Sequence, residues 1–198
     1  MDSRRLLLAN GVTLSEGGVI YYTSSDGKIA EPYKTNVFGA NIISNTYADG
    51  RGVITFDGDV TSIGENAFYK RTSLTSVTIP DGVTTIGNCA FQYCSRLKSI
   101  TIPDSVTSIG SVAFDSCDSL TSVTIPNSVK TIRDYAFYNC SKLTSVYCKA
   151  TTPPALGSYV FNVNGRGRKI YVPAESVEAY KSATNWSEYA SAIVGYNF

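Results

Sequence analysis

The sequence predicts an α/β solenoid of stacked coils, each about 23 residues long and each carrying a short strand parallel to its neighbours. Three observations predict it. Phe68, Phe91, Phe114 and Phe137 stand 23 residues apart, each directly after an alanine (Ala67, Ala90, Ala113, Ala136). The same step is kept by Leu74, Leu97, Leu120 and Leu143, by Ile63, Ile86, Ile109 and Ile132, and by Pro80, Pro103 and Pro126. Within a unit such as Leu120-Thr121-Ser122-Val123-Thr124-Ile125, β-branched apolar residues alternate with polar ones, which is the strand period. One unit cannot bury its apolar face alone, so neighbouring units must stack. The coil is expected to be right-handed, with mostly short parallel strands, single helical turns, an N-terminal hairpin and a C-terminal helical cap.

The elements follow in order. Residues 1–18 form an N-terminal extension. Residues 19–52 read as a β-hairpin cap, with Val19–Thr23 and Lys28–Glu31 joined through Ser24-Ser25-Asp26-Gly27. Phe38 precedes Phe68 by 30 residues, one repeat plus seven, which places an inserted loop around Asn45–Gly52. The solenoid spans 53–172, since Phe56 and Ile63 keep the seven-residue interval of Ile79 and Ile86. In three successive units the strand ends at a proline (Pro80, Pro103, Pro126), which has no N–H to donate. A second extended segment follows at Val129 and Ile132, closed in other coils by Gly64, Gly87 or Gly110. The Ala-Phe-x-x-Cys stretch then reads as one helical turn with its apolar groups inward. Residues 173–198 form the C-terminal cap. Ala174–Ala183 is a short helix started by Pro173, Asn185-Trp186-Ser187-Glu188 has capping-box spacing, and Trp186 seals the last coil. Phe161 falls in an irregular terminal coil, so it is expected to contribute less than Phe114.

Composition excludes much chemistry. The chain has no histidine, which removes Ser-His-Asp and Cys-His catalysis and any His-ligated metal. Lys+Arg 17 against Asp+Glu 16 gives a net charge of +1, so no global field draws the chain to nucleic acid. No apolar run approaches the ~18 residues that span a bilayer, so no membrane insertion is expected. Arg4-Arg5 precede only Leu6–Ala9, shorter than a signal-peptide core of about 7–15 residues. Either the chain is not exported by that route or its signal lies outside this sequence. Cys94, Cys117 and Cys140 stand one repeat apart, stacked at roughly 4.8 Å, inside the disulfide window of about 4.4–6.8 Å. Stacked Cβ atoms point in parallel, which favours a ladder of buried thiols over one strained disulfide or a metal site. Cys148 takes a strand isoleucine position, and Cys89 is the least determined. Asp57-Gly58-Asp59 resembles the start of a calcium loop, but the register makes it an ordinary turn. Arg166, Arg168 and Lys169 read as a solvated loop rather than a phosphate site. The hydroxyls recur once per coil and form no singular constellation, so neither an enzyme nor a cofactor is expected.

The unit resembles the BspA-like class of leucine-rich repeats. It lacks the asparagine that the general leucine-rich pattern places after the strand; Gly82, Ser105 and Ser128 stand there. The resemblance covers 53–172, and the flanks look like the family's usual ends. It implies a leucine-rich-repeat protein of the surface or secretions of host-associated bacteria. A non-catalytic, adhesin-like recognition module is expected, with protein or glycan on host or other cells as partners. The alternative is a structural spacer or a phage tail-type fibre subunit. Outward strand positions are small and polar at Thr75, Ser76 and Thr78, at Lys98, Ser99 and Thr101, and at Thr121, Ser122 and Thr124. Toward the C-terminus they become Thr144, Ser145 and Tyr147, then Arg168, Lys169 and Tyr171. Tyrosine and arginine tend to dominate interface energy, so these six are the candidate binding residues. The competing reading is that Tyr147 and Tyr171 only shield the last coils.

Overall fold

The computed structural model describes residues 6–7, 13–14 and 18–198. Strands β1 (Leu6–Leu7) and β2 (Thr13–Leu14) pair antiparallel; the expected extension over 1–18 otherwise lies outside the described residues. Strands β3 (Val19–Ser24), β4 (Ile42–Ala48) and β5 (Arg51–Phe56) build the N-terminal cap.

The hairpin of this cap is β4 with β5, turned at Asp49 and Gly50, both left-handed at φ 50° and 79°. The expected pairing of Val19–Thr23 with Lys28–Glu31 does not form, and the supposed inserted loop supplies the hairpin's turn and parts of both arms. The reason is tertiary. β3 is antiparallel to β5 on one edge and to the first repeat strand on the other, so it has no edge left for Lys28–Glu31. Tyr22 fixes the arrangement: its hydroxyl donates to Asn45 Oδ1 (2.8 Å) and accepts from the Ala30 N–H (3.1 Å). Its ring covers Gly52, where an added Cβ would lie 2.0 Å from the ring.

Strands then alternate between two sides of the coil. One side carries β6 (Ser62–Ile63), β8 (Thr85–Ile86), β10 (Ser108–Ile109), β12 (Thr131–Ile132) and β14 (Ala155–Leu156), all parallel. The other carries β7 (Leu74–Thr78), β9 (Ser99–Thr101), β11 (Ser122–Ile125), β13 (Ser145–Cys148) and β15 (Lys169–Pro173). Here β7 pairs with β9, and β11, β13 and β15 pair in series, again parallel. The ladder divides into two sheets between β9 and β11.

The third side replaces the expected helical turn with hydrogen-bonded turns that reach to the next coil. The N–H groups of Cys89, Phe91 and Tyr93 donate to the carbonyls of Ser111, Ala113 and Asp115, while Gln92 N–H and Cys94 N–H close local turns to Cys89 and Phe91. Two residues per coil are left-handed, for example Cys89 and Tyr93, or Val112 and Ser116. A true helical turn would consume these amides within one coil; this conformation spends half of them on stacking.

The core is a column of rings. Phe68, Phe91, Phe114, Phe137 and Phe161 stack at 5.3, 5.2, 4.9 and 5.7 Å between centroids. Phe38 closes the N-terminal end edge-on against Phe68, and Trp186 and Tyr189 close the other against Phe161. All five cysteines are free thiols. Cys94, Cys117 and Cys140 each donate to the carbonyl of the phenylalanine one coil back: Phe68 (3.1 Å), Phe91 (3.3 Å) and Phe114 (3.1 Å). A thiol is a weak donor, but it is small, and it gives a second donor to a carbonyl that already accepts a local backbone N–H, from Arg71, Cys94 or Cys117.

The C-terminal cap has a 3-10 turn (Ala174–Ser176), α1 (Val177–Ser182), a 3-10 helix (Trp186–Ala192) and β16 (Ile193–Tyr196), which continues the sheet parallel to β15. Trp186 is fully buried, and its Nε1 donates to the Pro154 carbonyl at 2.8 Å. The expected capping box is absent. Asn185 is left-handed (φ 61°) and makes no capping bond; its Nδ2 donates to the Leu156 carbonyl at 2.6 Å. Phe161 is as buried as Phe114, so the expected irregular terminal coil is fully covered.

Candidate recognition surface

Parallel register places Tyr147 of β13 directly beside Tyr171 of β15. Adjacent strands lie about 4.8 Å apart, and the two rings stack at 4.7 Å with 13° between planes. Both are half-buried, above the fully buried Val146 and Ile170. Thr144 and Lys169 are exposed beside them, and Ser145 is half-buried opposite Lys169. Five of the six candidate residues therefore share one face.

Arg168 does not join them. Its Nη1 donates to the Phe161 carbonyl and, at 3.4 Å, to Asn164 Oδ1, and its guanidinium lies 5.0 Å over the Tyr189 ring. Burial pushes its pKa down from the ordinary arginine value. The cause is the carbonyl column. Thiols serve Phe68, Phe91 and Phe114; Asn164 Nδ2 serves Phe137 at 2.7 Å; and the last carbonyl, on Phe161, takes its donor from its own coil. Arg168 is that donor.

Two residues that sequence reading missed complete the surface. Tyr196 of β16 lies two residues beyond the direct partner of Tyr171, so it meets the pair diagonally, a reach open to large rings. It stands edge-on to both, 5.6 Å from Tyr147 and 5.6 Å from Tyr171. Phe198 packs edge-on to Tyr196 at 5.0 Å, and both are largely exposed. The alternation of Val194, Tyr196 and Phe198 was the available signal, hidden by treating the whole end as a cap. Asp57, the start of the calcium-like stretch, instead accepts from the backbone and side-chain nitrogens of Asn41 at 2.8 Å each. These bonds lower its pKa below the usual carboxylate value.

Stacked coils with one parallel strand per 23-residue unit, closed by a buried aromatic at each end, define a leucine-rich-repeat protein. The chain belongs to the BspA type leucine rich repeat family, whose profile matches six copies over residues 55–188. Among solved structures it is similar to the Treponema pallidum (T. pallidum) leucine rich repeat protein TpLRR, at 25% identity and a TM-score of 0.56 over 75% of this chain and 64% of that one. It is similar to a leucine-rich repeat protein from Bacteroides capillosus, at 31% identity over 69% of this chain and 98% of that one, TM-score 0.43. A leucine rich cell surface protein from Faecalibacterium prausnitzii is 33% identical over 64% of this chain and 39% of that one, TM-score 0.43. The chain thus spans under two thirds of TpLRR. No curated protein sequence matches it. Among the described residues no helix is long and apolar enough to cross a membrane.

Proposed function

We propose that this protein is a non-catalytic, adhesin-like recognition module of a bacterial cell surface or secretion, and that it holds a protein or glycan of another cell against the C-terminal part of its strand side. The cluster of Tyr147, Tyr171 and Tyr196 carries this reading. Tyrosine offers a large, rigid, amphipathic contact area at low entropic cost, and here three rings brace one another before any ligand arrives. The neighbouring coils present threonine and serine at the same positions. Family membership supports the surface location and the absence of catalysis.

Adherence of fluorescently labelled protein to cultured epithelial cells, measured by flow cytometry, tests it. Tyr147→Ala with Tyr171→Ala is expected to weaken binding about tenfold or more, roughly 1.4 kcal/mol. Thr78→Ala with Thr101→Ala is expected to change it less than about twofold. If both double variants bind like the parent, the contact surface is elsewhere.

A further inference from the structure

A second aromatic row lies on the turn side at the opposite end of the column. Tyr33, Tyr69 and Tyr93 meet edge-to-face at 5.3 and 5.9 Å, with Tyr33 54% and Tyr93 40% exposed. Cations are threaded through it. Lys70 Nζ lies 5.1 Å over Tyr69 and 5.9 Å from the centre of Tyr93, and the Arg71 guanidinium lies 5.6 Å over Tyr33.

The repeat explains why Arg71 is left without an acceptor. It occupies the position that Cys94, Cys117 and Cys140 hold in the following coils, where the side chain donates to the phenylalanine carbonyl one coil back. In the first coil that carbonyl belongs to Phe38, and it already accepts from Thr61 N–H (3.0 Å) and Ser62 N–H (3.3 Å). Among the described residues the ion pairs are Lys34–Glu65 and Lys181–Glu178, so neither Lys70 nor Arg71 has a carboxylate partner. Arg71 Nε is also buried with no hydrogen-bond partner there. A buried, unpaired donor costs about 1–3 kcal/mol, and an arginine fork matches a planar or tetrahedral oxyanion at two points.

We infer that this row is a binding site for a sulfated polysaccharide. Sulfate oxygens accept from the terminal nitrogens of the Arg71 guanidinium, whose Nε is buried, and from the Lys70 ammonium. The negative faces of the exposed tyrosine rings pack against the positively polarised C–H groups of the sugar rings. The ring spacing is comparable to one sugar along a glycan chain, so successive sugars can meet successive tyrosines. A lone anion would use the cations and leave the rings idle.

The test is binding of the intact chain to immobilised heparin, with poly-glutamate and inorganic sulfate at matched charge as competitors. Lys70→Asn with Arg71→Gln, and separately Tyr33→Ala, are expected to weaken binding at least tenfold with far-ultraviolet circular dichroism unchanged. Asparagine tolerates the left-handed φ of 57° at position 70. Lys130→Gln with Lys149→Gln removes the same charge elsewhere and is expected to alter binding less than twofold. Tyr147→Ala with Tyr171→Ala is expected to leave it intact, so the two surfaces stand or fall separately. Any of four results overturns the inference: no retention on heparin, equal loss in the Lys130/Lys149 variant, equal competition by inorganic sulfate, or equal competition by poly-glutamate, which would mark an acidic-peptide site.

Discussion

Raising the pH from about 8.5 to about 10.5 is expected to unfold this protein, because its core is lined with thiols that cannot ionise in place. An unfolded cysteine titrates near about 8.5. Burial pushes Cys94 and Cys140 up to about 12, and it raises Cys117 and Cys148 as well. Below about pH 8.5 both states are protonated, and the stability from these groups is fully present. Above it the unfolded chain releases protons that the folded chain retains, so stability falls until the folded thiols themselves titrate. Each thiol removes up to about 1.4 kcal/mol per pH unit, and four together up to roughly 5.6 per pH unit, against a total of about 5–15 kcal/mol for a typical domain. Circular dichroism against pH should show a cooperative loss. Cys148 makes no hydrogen bond to the carbonyl column and stands at a strand isoleucine position, so Cys148→Val should move the midpoint upward. An unmoved midpoint would contradict the thiol account.

Phe114→Ala is expected to cost roughly 3–5 kcal/mol. Phe114 is stacked at 5.2 Å on one side and 4.9 Å on the other, and a coil held between two others cannot collapse into the space. Phe161→Ala is expected to cost about as much, within roughly 1 kcal/mol, because Phe137, Trp186 and Tyr189 enclose that ring. Urea melts of the two variants decide this. A clearly milder Phe161 variant would mean that the cap is loosely docked.

The body of the fold was legible because its determinants are local and repeated. The 23-residue step and the two-residue alternation appear within one unit and recur coil after coil, and Pro80, Pro103 and Pro126 close three successive strands. The N-terminal cap was less so. Asp26-Gly27 and Asp49-Gly50 offer the same turn chemistry, and what selects the second is β3 lying between β5 and β7, a contact no local pattern encodes. Arg168 shows the same limit at the candidate surface. The repeat register turns it outward, as at the exposed Thr121 and Thr144, whereas the Phe161 carbonyl draws it inward. Tyr147 and Tyr171 were legible because parallel register follows directly from the repeat; Tyr196 depends on a strand formed only after the chain has crossed the cap.

Hydroxyl-radical footprinting of the protein, free and bound to target cells, reads out whether recognition occupies the C-terminal part of the strand side. Tyrosine reacts readily, so the exposed rings report their own coverage. Protection is predicted at Tyr147, Tyr171 and Tyr196, with Tyr135 and Tyr159 on the turn side unchanged. Unprotected Tyr147, Tyr171 and Tyr196 in cell-bound protein would contradict the account.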